Sequence, residues 1–563
     1  MSTLTALARA RAARAGQAVP IAAVRHVHVS DEPLVMVPVM QAGEAAAPLA
    51  VLVGTSRSAP ELLVVAQPRN RDQRFAFLTS FARVLLPYIE SRRADTETVE
   101  ATKNHEEWER YTDAPQLILP NSGGIEALRL LGRSSRFRTV DGPYPVDPLV
   151  PLLGRYLTWF AEDRAAMPGS SVCLALTSVL AQHWATGQSA LEDQHLPALL
   201  GWIDPPDGLS GAEAALRAED PDLVPPAGPV TDPAFDTGVL APLVRAQELA
   251  RAADDVRAVS LAEQELRSAL EAQLLPTWET AWHAIDVLRS LPVAASDELR
   301  WQVDRGRFTD FATALEDGAP PQPKRPTAVS AARRLADLEA AQLSYDRSQA
   351  IDDPLVLARY RVGGEAFAGR VVAVDAERQE IKGKRAWPRP LVRLLTEDEV
   401  ILRPGAKLAS PVRIGQTVRL RSVWVVDGAR GGTGEGSASG SASGSGSGNG
   451  TGNGWGGYEV ELELLSGMGR GKTPEPGSLP VVGEQRCYAT FLAEQRGTRP
   501  ELPDADQTPW THGGPPWPPV ARAEDQSEDW GLERGASEVD EAGIAAARAE
   551  LADGAGLGTG GWE

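Results

Sequence analysis

Residues 429–457 are almost wholly Gly, Ser, Ala, Asn and Thr, and they fall between two segments of apolar/polar alternation. Upstream runs VRIGQTVRLRSVWVVDG and downstream GYEVELELLSG. A period of two belongs to a strand with one buried face, whereas a Gly/Ser tract reads as a disordered linker. The pair therefore predicts a hairpin with a grown-out loop. Loop-closure entropy rises only logarithmically with length, so such an insertion costs little stability. Pairing Val426 with Tyr458 sets Trp424 against Val460, Leu420 against Leu464 and Arg421 against Glu463. Apolar residues then meet apolar ones, and opposite charges pair.

That hairpin organises residues 355–495. RYRVGGEAFAGRVVAVDAER reads as two strands around Gly363-Gly364, followed by a basic loop and LVRLLTED. About five strands without a long helix predict a small β-barrel of the OB or SH3-like kind. Residues 1–18 read as a flexible N-terminus and 19–146 as an α+β domain. In the latter, VRHVHV, LVMVPVM, LAVLVGT and ELLVVAQ form a meander, and apolar residues at 75, 78, 81, 82, 85, 86 and 89 make one helix face. An acidic connection and LILPNSGGIEALRLLG, a strand or turn entering a short helix, complete it. Residues 147–350 read as mainly helical, with helices at Leu149–Phe160, Ser171–Trp184, Leu240–Leu275, Leu299–Leu315 and Ala328–Tyr345. Residues 496–563 carry Gly, Pro, acids and isolated Trp, and read as a disordered acidic tail. The expected fold class is thus multidomain α+β: a β-meander plus helix, a helical middle, a small barrel and a tail.

The formal charge of −20 argues against a chain that coats nucleic acid over its whole surface. Its distribution says more. Leu355–Arg430 holds 15 Lys+Arg against 8 Asp+Glu, a local +7, and Glu501–Glu563 holds 3 against 14, a local −11. Arginine richness alone is weak evidence, because only six lysines stand beside fifty arginines, the mark of a GC-rich coding bias. Two cysteines are too few for a disulfide scaffold or a cysteine metal cluster. The chain has no run of 18 apolar residues, the length that a membrane-spanning helix needs, and the N-terminus lacks an apolar signal core. A cytoplasmic protein without a membrane contact is expected.

The strongest chemical cue is IKGKRAWPRP, which gathers Lys382, Lys384, Arg385 and Arg389 around Trp387. Cations neutralise phosphates and an exposed indole stacks on an unpaired base, so these five residues are the candidate single-strand contact. Arg69, Arg71 and Arg74 precede a helix, where cations oppose the helix dipole, and form a weaker candidate anion site. Arg133, Arg136 and Arg138 in GRSSRFR read as an ordinary surface loop. SGMGRGKT at 466–473 imitates a phosphate-binding loop, but Ser466 stands where Gly is needed and Pro474 and Pro476 block the helix that must follow. His26 and His28 would share a strand face without a third metal ligand nearby, HEEWE lacks its second His, and Cys173 sits in an apolar run as a core residue. No catalytic or cofactor motif emerges, and no metal or cofactor is expected. The reading is a non-enzymatic adaptor that contacts single-stranded nucleic acid through the barrel and docks on a larger protein. The rivals are a scaffold whose barrel binds an acidic protein segment, and an enzyme with an unrecognised site in the N-terminal domain.

Overall fold

The computed structural model describes residues 2–41, 46–101, 106–226, 228–320, 328–382, 385–411, 413, 415–426, 457–469, 471 and 473–491. The fold is mixed α/β and divides into two compact units, Met1–Asp353 and Pro354–Gln495. The Gly/Ser tract and the acidic tail lie outside the described residues, apart from Gly457.

In the first unit, strands β1 (Leu34–Met40), β2 (Pro48–Gly54), β3 (Glu61–Val64), β4 (Leu117–Leu119) and β5 (Cys173–Ala175) form one sheet in the order β3-β2-β1-β4-β5. The first three strands are an antiparallel meander, and β4 and β5 add in parallel. Every residue of β1, LVMVPVM, is buried. Such a strand needs cover on both faces. Leu34 and Met36 pack with Phe81 and Leu85 of α2 (Arg71–Ser91), and with residues of α3 (Ser122–Ser135) and α4 (Leu149–Thr158). Val35, Val37 and Val39 face Leu270, Trp278 and Ile285 of α5 (Val256–Arg289) instead. Pro38, with no N–H to give, lies beyond the two residues of β1 that pair with β4.

The helix predicted from position 75 is α2. It starts at the Asn70 cap, whose side chain accepts from Gln73 N, and buries Leu78, Phe81, Ala82, Leu85 and Ile89 as expected. The N-terminal Ala/Arg run forms α1 (Thr3–Ala15), capped by Ser2 and closed by Gly16 at φ 67°. Three local expectations are corrected. VRHVHV forms no strand: Arg25 makes one isolated bridge to Val293, and polar contacts hold the flanking histidines. The apolar run from Ser171 opens with strand β5, and only Leu176–His183 is helical, because a short buried strand and a buried helix look alike by periodicity. RYRV lies in a helix too. After α6 (Asp297–Glu316) and α7 (Ala328–Asp352), the second unit opens with α8 (Pro354–Val362), which stops before Gly364 at φ 75°.

The second unit then runs through β6 (Ala366–Asp375), β7 (Gln379–Lys382), β8 (Arg385–Pro388), β9 (Leu391–Thr396), β10 (Lys407–Ala409), β11 (Thr417–Val426), β12 (Gly457–Leu464) and β13 (Gln485–Ala489). Six of these close a ring in the order β6-β9-β12-β11-β10-β13, with β13 pairing back on β6. Phe367, Leu394, Leu420, Val460, Leu462 and Tyr488 fill its interior. The interrupted hairpin exists as β11–β12, but its register differs by one residue. Val425 pairs with Tyr458 and Val426 with Gly457, and a bulge between Leu420 and Ser422 shifts the pairing again, to Leu420 with Leu462 and Arg419 with Glu463. The bulge keeps Leu420 and Val418 inside while the outer end of the strand advances.

Candidate nucleic-acid interface

The basic segment forms its own hairpin, β7–β8, outside the closed ring. Lys382 pairs with Arg385 and Glu380 with Trp387, so these four register positions share one face. Like charges at directly opposite positions disfavour a hairpin unless a counter-charge lies near. Lys384 lies outside the described residues, as do the side chains of Lys382 and Arg385. Trp387 is 46% exposed and Ile381, on the other face, 77%. Arg389 faces inward to the base of the hairpin. Its Nε lies 3.3 Å from Glu380 Oε2, and its Nη1 donates to the carbonyls of Pro388 and Leu465 at 3.1 and 3.2 Å. The Arg389 amide donates to Arg378 O at 2.8 Å and Arg378 Nη1 to Arg389 O at 3.1 Å, closing the base of the hairpin.

Beside that base lies a cluster that composition does not reveal. Glu463 on β12 has a side chain only 1% exposed, and three guanidiniums converge on it. Arg378 Nη1 is 2.7 Å from Oε1, Arg421 Nη2 3.0 Å from Oε1, and Arg419 Nη1 3.4 Å from Oε2. Burial alone would raise the Glu463 carboxyl, but the hydrogen bond from Arg378 and the charges of Arg421 and Arg378 outweigh it and hold the group below its ordinary range. One carboxylate against three arginines leaves two positive charges in excess within these four residues. Trp424, 45% exposed, pairs with Glu459 farther along β11, and Arg393 reaches Glu459 at 3.2 Å. Sequence alone pointed to Arg421 opposite Glu463. Arg419 comes opposite Glu463 only through the shifted register, and Arg378 only where the hairpin base meets β12, a contact between segments far apart in the chain.

Arg71 lies at the start of α2, with Nη1 3.1 Å from Asp72 Oδ1 and Nη2 donating to Tyr144 O at 3.0 Å. Its guanidinium also covers the Phe75 ring at 4.7 Å, which Arg138 approaches at 5.3 Å. Arg69 gives its amide to Gln67 Oε1, and Arg74 is half-buried one turn into the helix. Arg133 and Arg136 both pair with Glu162. Ser466 and Met468 sit against the ring: Ser466 Oγ lies 2.7 Å from Thr417 Oγ1, and Met468 is buried in the core.

His26 Nε2 lies 3.2 Å from Asp353 Oδ2, whereas His28 Nδ1 lies 3.3 Å from Asp297 Oδ2 and its ring stacks on Trp301 at 4.2 Å. The two histidines thus have separate carboxylate partners, and among the described residues no group of three His, Cys, Asp or Glu side chains could hold a metal. His28 also borders a polar cleft of 440 Å³ with Ser30, Asp31, Glu32, Arg92 and Asp113, where Arg92 bridges Glu32 and Asp113 at 3.1 Å each. Burial pushes the Cys173 thiol up to about 12, as befits a core residue. No helix among the described residues is long and apolar enough to cross a membrane. No protein-family model matches this chain, and neither does any curated protein or solved structure.

Proposed function

We propose that the chain is a non-enzymatic accessory protein whose second unit contacts single-stranded nucleic acid, while its helical region docks on a larger protein partner. The closed ring, six strands where an OB-fold has five, acts as a small barrel of the OB or SH3-like kind does: a rigid support for a basic loop. The observation that carries this reading is the excess of arginine around Glu463, set against a hairpin that presents Trp387. The planar guanidinium fork binds phosphate oxygens in paired hydrogen bonds, and the exposed indole of the hairpin offers a stacking surface to any base. Arg389, bound to Glu380 and two carbonyls, positions the hairpin, and Lys382, Lys384 and Arg385 supply phosphate contacts. A cytoplasmic setting suits this role.

Binding of a single-stranded oligonucleotide across a salt series tests it. Wild-type affinity should fall steeply with salt, and replacing Lys382, Lys384 and Arg385 by Ala should reduce the log–log slope by about 0.7 for each phosphate no longer neutralised. Trp387→Ala should weaken binding by ~1–3 kcal/mol. Binding that ignores both salt and these substitutions would exclude the surface as a nucleic-acid contact and favour the scaffold reading.

A further inference from the structure

We propose that the acidic segment Glu524–Glu533, which contains Trp530, docks on the second unit at the arginines around Glu463 and competes there with nucleic acid. The proposal rests on the reading above and names its regulation. Glu463 already shows what this surface accepts: a carboxylate held by guanidiniums at 2.7 and 3.0 Å. Two positive charges remain over once that carboxylate is counted. Glu524, Asp525, Glu528, Asp529 and Glu533 carry five negative charges within ten residues, with no cation among them.

Charge alone does not select this segment, since salt at physiological strength screens exposed charges beyond ~8 Å. The second element is aromatic. Trp530 sits among those acids, and the second unit exposes Trp387 on the hairpin and Trp424 on β11, at 46% and 45%. An indole flanked by carboxylates imitates a base flanked by phosphates, so one surface fits both. The third element is attachment. The chain leaves β13 for Phe491, whose ring lies 4.7 Å from Tyr360 in the same unit. The tether thus begins on the unit that carries the surface. Residues 492–523 span 32 positions, enough chain at ~3.3–3.6 Å per residue for the segment to return to that surface. At that length a tethered ligand acts at an effective concentration approaching millimolar, enough to populate a weak contact.

Affinity for a fluorescein-labelled oligothymidine of about 20 nucleotides, read by anisotropy, decides the matter. Three proteins are compared: the full chain, a chain ending at residue 500, and the full chain with Glu524→Gln, Asp525→Asn, Glu528→Gln, Asp529→Asn and Trp530→Ala. All retain every described residue. The last two should bind about tenfold more tightly than the full chain at about 50 mM salt, converging to within about twofold at about 300 mM. Equal affinities at low salt overturn the proposal, and tightening by truncation without tightening by the five substitutions overturns the assignment to this segment. If none of the three binds the oligonucleotide, the nucleic-acid reading fails. The docking is then judged directly, with a labelled peptide of residues 520–536 added to the chain ending at 500. Salt-sensitive peptide binding that weakens with Trp424→Ala upholds the contact, and no peptide binding removes it.

Discussion

His183 shows how far a single buried side chain commits this fold to one protonation state. Its ring is fully buried, with Nδ1 2.8 Å from Val179 O and Nε2 3.3 Å from the His26 amide nitrogen. Nδ1 must therefore donate and Nε2 accept, which fixes the neutral tautomer. Protonating Nε2 would set one N–H against another in a dry site. Burial, reinforced by the charge of His26 and of Arg25, lowers the group to about 4, although the Val179 carbonyl and Asp353 pull the other way. Unfolded, the same imidazole takes a proton near its ordinary 6.5. As pH falls below 6.5 the unfolded chain binds a proton that the folded one refuses, so stability is lost until pH reaches the folded value. A depression from 6.5 to about 4 corresponds to about 3 kcal/mol. Buried Asp304, raised chiefly by burial, works in the opposite sense. The His183 effect is therefore read as the difference between the chain and His183→Gln. Denaturant midpoints at pH 7 and pH 4.5 should show that the variant loses less stability on acidification. Parallel pH dependence of the two would mean that His183 is protonated in the folded protein.

At the scale of elements, what the sequence displays is set by how local the deciding contact is. The face of α2 was legible because a helix writes its burial every three or four residues, and β1 to β3 because Val-rich runs end at Pro, Asp and Gly. The strand Cys173–Ala175 was not legible. It is one apolar triplet running directly into an apolar helix, and only parallel pairing with Leu117–Leu119 makes it a strand. For the interrupted hairpin, alternation identifies the partners and misses the register: the loop end is offset by one residue, and a bulge at Arg421, which leaves no mark in the pattern, adds a second offset. The site divides in the same way. IKGKRAWPRP was legible as a cluster in sequence, whereas the meeting of Arg378, Arg419 and Arg421 at Glu463 depends on three separate strands or loops. The hairpin itself yields a prediction. Val426 and Gly457 are paired neighbours, so the thirty residues between them bridge two adjacent strand ends. Replacing residues 431–455 by a turn of about four residues shortens the closed loop several-fold, which should leave the unfolding temperature unchanged or slightly raised. A variant without a cooperative thermal transition would show that the tract contributes to folding.

For the whole molecule, the division into two units has a thermodynamic consequence. Among the described residues, the two apolar cores that enclose the sheet draw on residues 27 to 308, and the one inside the ring on residues 367 to 488. Each unit also buries a titratable group with its own acid limit. His183 weakens Met1–Asp353 as pH drops below 6.5. Glu463, held below the ordinary carboxylate range, stabilises Pro354–Gln495 above its unfolded pKa of about 4.5, and that contribution disappears only as pH falls through its lower folded value. The two acid responses therefore occupy different windows. Chains limited to residues 1–353 and 354–495 should each unfold cooperatively, and the full chain should show both transitions in calorimetry. Substitutions then assign them. His183→Gln should alter the pH dependence of the first transition and leave the second where it was. Glu463→Gln, which strips three arginines of their shared carboxylate, should lower the second by about 1–3 kcal/mol at pH 7, a figure moderated by the partial exposure of those arginines. A single transition that answers to both substitutions would mean that the cores unfold as one.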